Sequence, residues 1–333
     1  MSVAAFYSAR YHIDIGLHVF PTRKYQLVRE RVAALSGCDG PALSGVEGPP
    51  VSFIEPEPAT WQELALVHTE EYLARLRAGT LSDDEVAELE LPWSEEMVEG
   101  FRLMVGGTIQ AALVACGLDA RSSSSSSSSS ADLQVRLAVH IGGGLHHAFP
   151  NHGEGFCPLN DVAVAVRVLQ QRGIERAAIV DLDVHHGNGT AFIFESDPRV
   201  FTFSMHQLHN YPMWKPRGSL DIGLPDGVHD MTYLEELEKA LPTVMTSRPG
   251  CVFYLAGADP YEADQLGGLR LTRDGLRQRD RMVIEAARGS NLPLVIVLAG
   301  GYARNVDDTV AIHVATIEEA VKASAETRKH EHG

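Results

Sequence analysis

The sequence predicts an α/β fold with a central, mostly parallel sheet and helices on both faces. Two observations predict it. Five short apolar runs rich in β-branched residues, 136–141 (RLAVHI), 177–183 (AAIVDLD), 200–206 (VFTFSMH), 251–257 (CVFYLAG) and 292–300 (LPLVIVLAG), are hydrophobic on both faces. They read as strands covered from both sides. Longer amphipathic stretches alternate with them, and strand-then-helix repetition is the pattern of a doubly wound sheet.

In chain order, the first third offers helices over 24–35, 60–77 and 94–115, before the first strand at 136–141. A helix over 159–171 follows it and leads to the strands at 177–183 and 200–206. Helices over 232–245, 272–288 and 307–328 flank the last two strands. Two segments break the pattern: 36–50 is rich in Gly, Pro and Ser, and 118–133 contains nine consecutive serines at 122–130. Neither can bury enough apolar area to fold alone, so both read as surface insertions in one domain spanning 1–333.

Composition narrows the function. The 333 residues carry 28 Lys and Arg against 44 Asp and Glu, a formal charge of −16 that argues against direct binding to nucleic acid or an anionic membrane. Cys38, Cys116, Cys157 and Cys251 have no CxxC spacing and read as reduced thiols. The N-terminal MSVAAFYSARYHID lacks the charged and apolar regions of a signal peptide, and no run approaches the length of a membrane span. A cytoplasmic protein is expected.

Chemistry gathers after the strands. RLAVHI runs into GGGLHHAF, AAIVDLD into VHHGNG, VFTFSMH into QLHN, CVFYLAG into ADPYEAD and LPLVIVLAG into GYARN. Ligands of open parallel sheets bind beyond the carboxyl ends of the strands, so these five loops should converge. Asp181, Asp183 and His185 fall at i, i+2 and i+4, on one side of an extended chain. Several unpaired carboxylates and imidazoles at a buried strand end would cost several kcal/mol per group, and a bound cation explains them better than capping does. Asp183 and His185 supply oxygen and nitrogen ligands, and Asp264 in ADPYEAD is the candidate third. Three protein ligands and one open position make a catalytic zinc arrangement. His146 and His147, after Gly142, Gly143 and Gly144, fit acid–base work, with Asp181 and Asn188 available to fix their tautomers.

These segments resemble the zinc-dependent histone deacetylase family of the arginase/deacetylase superfamily. The resemblance rests on IGGGLHHAFPNHGEGFCPLNDVAVA, VDLDVHHGNGTAFIF, FSMH, AGADPYEADQLGGLRLT and LAGGYARN, in the family's order, and covers 7–305. FYSARYHIDIGLHVFPTRKY, LVHTEEYL and LPWSEEMVEGFRLMVGGTI are most similar to the class IV branch and its bacterial relatives.

The resemblance implies an arginase/deacetylase-like fold and one catalytic zinc held by Asp183, His185 and Asp264. His146 and His147 look like the tandem catalytic histidines, oriented by Asp181 and Asn188, and Tyr302 like the tyrosine that stabilises the oxyanion. Gly155, Phe156 and Tyr211 look like walls of an acyl-lysine tunnel. Backbone carbonyls of Asp181, Asp183 and His185, with Ser204 and Met205, match a buried monovalent-cation site, commonly potassium. The implied substrate is an acylated lysine in a protein or a small acylated amine, with long-chain acyl-lysine and acetylpolyamines as alternatives. Two other functions compete. Binuclear manganese ureohydrolases of the superfamily carry further carboxylates where this chain has Gly187 and Leu266, and a catalytically silent binding protein would be expected to have lost one of the site residues.

Overall fold

The computed structural model describes residues 3–36, 51–118 and 137–331. The segment 37–50 of the first expected insertion and 119–133 of the second lie outside the described residues.

One sheet of eight strands forms among the described residues, in the order β2-β1-β3-β8-β7-β4-β5-β6. Its strands are β1 (Val3–Phe6), β2 (Val51–Ile54), β3 (Leu137–His140), β4 (Ala177–Asp181), β5 (Val200–Gln207), β6 (Leu220–Leu224), β7 (Cys251–Leu255) and β8 (Leu294–Val297). Every neighbouring pair is parallel. All carboxyl ends therefore face one edge, and the crossover order sets the loops after β3, β8, β7 and β4 side by side. The apolar runs are the central strands: β4, β7 and β8 are buried at every position. β1, β2 and β6 lie outside the five apolar runs. At the sheet edges β2 and β6 are only partly buried, and LDIGL carries an Asp and a Gly where β propensity is weak.

The helices are α1 (Lys24–Ser36), α2 (Trp61–Leu64), α3 (Glu70–Ala78), α4 (Asp83–Leu89), α5 (Glu95–Ala115), α6 (Asp161–Gln171), α7 (Asn188–Phe194), α8 (Asp230–Thr246), α9 (Arg273–Gly289) and α10 (Val306–Glu331). The single helix expected over 60–77 is two. Between them His68 is buried, its ring hydrogen-bonded to Phe149 O at 2.9 Å and accepting from Asn160 N–H at 3.0 Å, and Thr69 starts α3 by capping Tyr72 N–H. Two unforeseen short helices, α4 and α7, complete the set; α4 starts with a Ser82–Glu85 capping box.

A buried charge network ties the frame to the loops. Arg279 of α9 pairs with Asp280 at 2.8 Å and donates to Leu182 O at 3.3 Å and Gly257 O at 2.6 Å. Asp280 in turn accepts from Tyr254 and Thr316 hydroxyls at 2.5 and 2.6 Å. A buried guanidinium so saturated fixes the backbone after β4 and β7, where the chemistry lies. No helix among the described residues is long and apolar enough to cross a membrane.

Candidate active site

Asp181 ends β4, in register with Ser204 of β5 and Leu255 of β7. The chain leaves the sheet there and curls, because Asp183 Oδ1 accepts from His185 N–H at 3.0 Å and Oδ2 accepts from Gly300 N–H, beyond β8, at 2.8 Å. His185 Nδ1 lies 3.0 Å from Asp183 Oδ1 and 3.4 Å from Asp259 Oδ2. Burial works against charge on this imidazole, yet the two carboxylates hold its pKa up at about 10.

Asp259 is the residue that sequence reasoning missed. It is fully buried, accepts Val184 N–H on Oδ1 at 2.9 Å, and leaves Oδ2 without a hydrogen-bond partner. Burial and the charge of Asp183 push its carboxyl up to about 7. The signal lies in ADPYEAD itself, which carries two aspartates behind β7, Asp259 as well as Asp264. Ligand atoms of Asp183, His185 and Asp259 lie within 4.8 Å of one another. Asp264 sits beside this group, its Oδ1 accepting from Leu266 and Gly267 N–H and its Oδ2 from Tyr302 N–H at 2.7 Å. Burial raises its pKa, which His185 opposes. Three converging carboxylates with one orphaned buried oxygen are unfavourable alone, and the mixed oxygen and nitrogen set suits a divalent cation such as zinc.

The histidine pair hangs on the loop after β3. Gly143 and Gly144 take φ of +71° and +81°, and the Asp161 carboxylate secures the turn by accepting Gly144 and Leu145 N–H at 3.0 and 2.7 Å. His146 Nδ1 then meets Asp181 Oδ2 at 2.7 Å, and His147 Nδ1 meets Asn188 Oδ1 at 2.7 Å. Asn188 Nδ2 donates to Glu154 Oε1 at 2.8 Å, so its oxygen faces His147 and the His147 proton sits on Nδ1. The two rings differ electrostatically. Burial disfavours charge on both, but Asp181 and Asp183 raise His146 to about 9, whereas His147, beside His146 and His185, falls well below the usual histidine value.

A cavity of about 190 Å³ opens above these groups, lined by His147, His185, Gly155, Phe156, Tyr211 and Tyr302 together with Glu90, Asn210 and Leu266. Gly155 and Phe156 are consecutive left-handed residues, at φ of +52° and +66°. That conformation is strained for phenylalanine, and it is held by the Phe156 N–H bond to Leu89 O and by stacking on Phe20. Tyr211 packs edge-on against His147, ring centroids 5.0 Å apart, and donates its hydroxyl to Glu154 Oε1 at 2.6 Å. Tyr302 is buried beside Asp183 and Asp259, whose charges add to burial in pushing its phenol well above the ordinary value.

Ser204 and Met205 are buried on β5 next to the Asp181–His185 turn, and the Ser204 hydroxyl lies 3.0 Å from His206 Nδ1. His206 lies on β5, as the strand over 200–206 predicts. His186 points away from the cavity to Asp221, 3.4 Å off, and His209 is exposed.

A parallel α/β sheet that gathers aspartates, imidazoles and a tyrosine at the carboxyl ends of its strands belongs to the class of α/β proteins with a strand-end site fit for a metal. Comparison with known proteins makes this specific. The Histone deacetylase domain profile matches residues 18–317, and the chain belongs to that family. It is 32% identical over 260 residues to Histone deacetylase 2 of Arabidopsis thaliana, covering 75% of this chain and 63% of that protein. An uncharacterized protein of Picosynechococcus is 44% identical over 252 residues, covering 75% of this chain and 78% of its own. The crystal structure of the HDA15 HD domain superposes with a TM-score of 0.74 at 25% identity, covering 95% of this chain and 88% of that one. These likenesses support a deacetylase.

Proposed function

We propose that the protein is a zinc-dependent amidohydrolase that removes an acyl group, acetyl foremost, from the amine of an acyl-lysine side chain or a similar acylated amine. The observation that carries this reading is the unequal histidine pair, one ring on a carboxylate and the other on an amide, at the foot of a tyrosine-lined cavity beside the Asp183–His185 turn.

Asp183, His185 and Asp264 would hold the metal. Carboxylate oxygens that already accept N–H bonds keep lone pairs for a cation, and Asp264 is bonded to the backbone of two cavity-lining residues, Leu266 and Tyr302. Asp259 lies deeper and acts as the buried carboxylate that holds Val184 and faces His185. Bound zinc would supply Lewis acidity toward the amide carbonyl and acidify a water. His147, neutral and protonated on Nδ1, offers the lone pair of Nε2 as general base. His146 with Asp181 carries a positive charge beside it and is the source of a proton for the leaving amine. The Tyr302 hydroxyl donates a hydrogen bond to the developing oxyanion. Gly155, Phe156 and Tyr211 enclose the acyl-bearing chain. The turn at Asp181–His185 with Ser204 and Met205 would hold potassium through backbone oxygens.

The binuclear manganese reading is disfavoured by the residues at the decisive positions, since Gly187 has no side chain and Leu266 lines the cavity with hydrocarbon. The test is hydrolysis of a panel of acetyl-lysine peptides, longer acyl-lysine peptides and acetylpolyamines by zinc-loaded protein, with guanidino substrates as the control. Release of carboxylate from at least one acylated amine is expected. Turnover of a guanidino substrate alone would replace this reading.

A further inference from the structure

We infer that Glu154 is a positioning residue for this reaction, acting through Asn188 and Tyr211 without touching the substrate. A single oxygen, Oε1, takes both the Asn188 Nδ2 donor at 2.8 Å and the Tyr211 hydroxyl at 2.6 Å. Those two residues contact His147 from different sides, Asn188 at Nδ1 and Tyr211 edge-on to the ring. Glu154 is not among the cavity-lining residues, and its side chain is 13% exposed. Its other oxygen lies 3.7 Å from His152 Nε2. Although burial disfavours the charge, the bonds from His152, Tyr211 and Asn188 keep the carboxyl below its ordinary pKa, so it is an acceptor only.

That acceptor-only character does the positioning. The two ends of an asparagine amide have nearly the same shape, and only their partners decide which end faces which way. A carboxylate at Glu154 admits only the NH₂ end and therefore turns the carbonyl of Asn188 toward His147. His147 must then donate from Nδ1, which places the lone pair of the base on Nε2, 3.1 Å from His146 Nε2. Without Glu154, the amide could reverse, present NH₂ to Nδ1, and drive the His147 proton to Nε2, where it blocks the base. The Tyr211 ring would lose its tether in the same change, and the cavity wall with it.

The experiment compares Glu154→Ala, Glu154→Gln and Glu154→Asp in the full-length zinc protein, with thermal melts to confirm folding. The kinetic arm rests on the deacylase reading. The spectroscopic arm, imidazole ¹⁵N shifts of His147 in histidine-labelled protein, does not, so inactivity of the wild type on every acylated amine would sink that reading and leave this inference standing on the shifts. In the wild type His147 should be a single Nδ1–H tautomer, and in Glu154→Gln, whose carbonyl can still accept both bonds but whose amide can also turn, that tautomer should remain the major one. In Glu154→Ala it should become a mixture. Loss of kcat in Glu154→Ala should be about tenfold or more, as is usual for partners that orient catalytic rings, while Glu154→Gln stays within about threefold of the wild type. Glu154→Ala combined with Asn188→Ala should be no slower than Asn188→Ala alone, and any rise in KM should vanish on a Tyr211→Phe background. Should Glu154→Ala fail to fold, Glu154→Asp, whose shorter arm reaches at most one donor, should show the same effects at smaller size. Unchanged His147 shifts in the variant that folds, or a kcat loss that adds fully to that of Asn188→Ala, would overturn the inference.

Discussion

The Nε2 atoms of His146 and His147 stand 3.1 Å apart, while their Nδ1 atoms face a carboxylate and an amide respectively. Two imidazoles in contact do not both carry a proton charge readily, and the different partners decide which one does. Asp181 favours imidazolium at His146, and the resulting charge lowers His147 further. Positive charge is thus favoured on His146, and the role of base falls to His147.

Changing the amide to a carboxylate should weaken that division. Because Asn188 Nδ2 faces the Glu154 carboxylate at 2.8 Å, Asn188→Asp is made on the Glu154→Gln background, whose amide can donate to the new carboxylate; there the new charge stabilises imidazolium at His147 and raises its pKa. The acidic limb of the kcat/KM profile, where the base becomes protonated, should move to higher pH by on the order of one unit. The profile is measured with one defined acyl-lysine peptide from about pH 5 to about pH 9. A limb that stays put or moves to lower pH would assign it to a different group.

The metal ligands can be separated by elemental analysis. One zinc per chain is expected in the purified protein, and Asp264→Asn should lose both the metal and the activity. Asp259→Asn keeps the shape of the group facing Val184 and His185, so it should retain zinc and lose at most part of the rate. Loss of zinc from Asp259→Asn with retention in Asp264→Asn would exchange their roles. Two tightly bound metals per active chain would point to the ureohydrolase chemistry.

The sheet and the site were legible to different depths. Central strands announce themselves because burial on both faces demands continuous apolar sequence, and the polar residues after β4, β7 and β8 stand out against it. Edge strands such as β6, half exposed and interrupted by Gly223, carry no such signature. The break between α2 and α3 arises from His68 bonding to Phe149 and Asn160, 81 and 92 residues away, which no local pattern reveals. Asp181 and Asn188 could be paired with the histidines from the resemblance. Asp259 and Glu154 could not, since their roles come from what folding sets against them: Asp183 and His185 for one, Asn188 and Tyr211 for the other.

Away from the site, Glu319 should govern part of the acid stability. It accepts from Arg277 at 2.6 Å, Arg281 at 3.0 Å and Lys322 at 2.8 Å, tying α10 to α9, and although burial opposes its charge these cations lower its pKa from 4.5 to about 2. A depressed carboxylate pKa contributes stability in full above the unfolded value, near 4.5, which is lost as pH falls toward about 2. Because the partner side chains are 30%, 49% and 54% exposed, Glu319→Gln should cost only about 1–2 kcal/mol at neutral pH. In urea titrations the gap between variant and wild type should narrow between about pH 5 and about pH 3. A gap independent of pH would mean that the loss is one of packing, not charge.

Tyr302 tests whether the cavity stabilises a transition state. Its ring lines the cavity, its backbone N–H is pinned to Asp264 at 2.7 Å, and its carbonyl accepts from Gln265 Nε2 at 2.8 Å. The hydroxyl is thus carried on a fixed backbone, and its raised pKa keeps it a proton donor throughout the working range. A neutral donor held in a desolvated site gains most when negative charge appears on the substrate oxygen, and little from the uncharged amide before reaction. Tyr302→Phe removes that donor and leaves the ring packing in place. It should lower kcat by about 10² to 10³ with KM nearly unchanged, a loss of about 2.7–4 kcal/mol in transition-state stabilisation. A raised KM with kcat preserved would instead make Tyr302 a ground-state contact, and the oxyanion would need another donor.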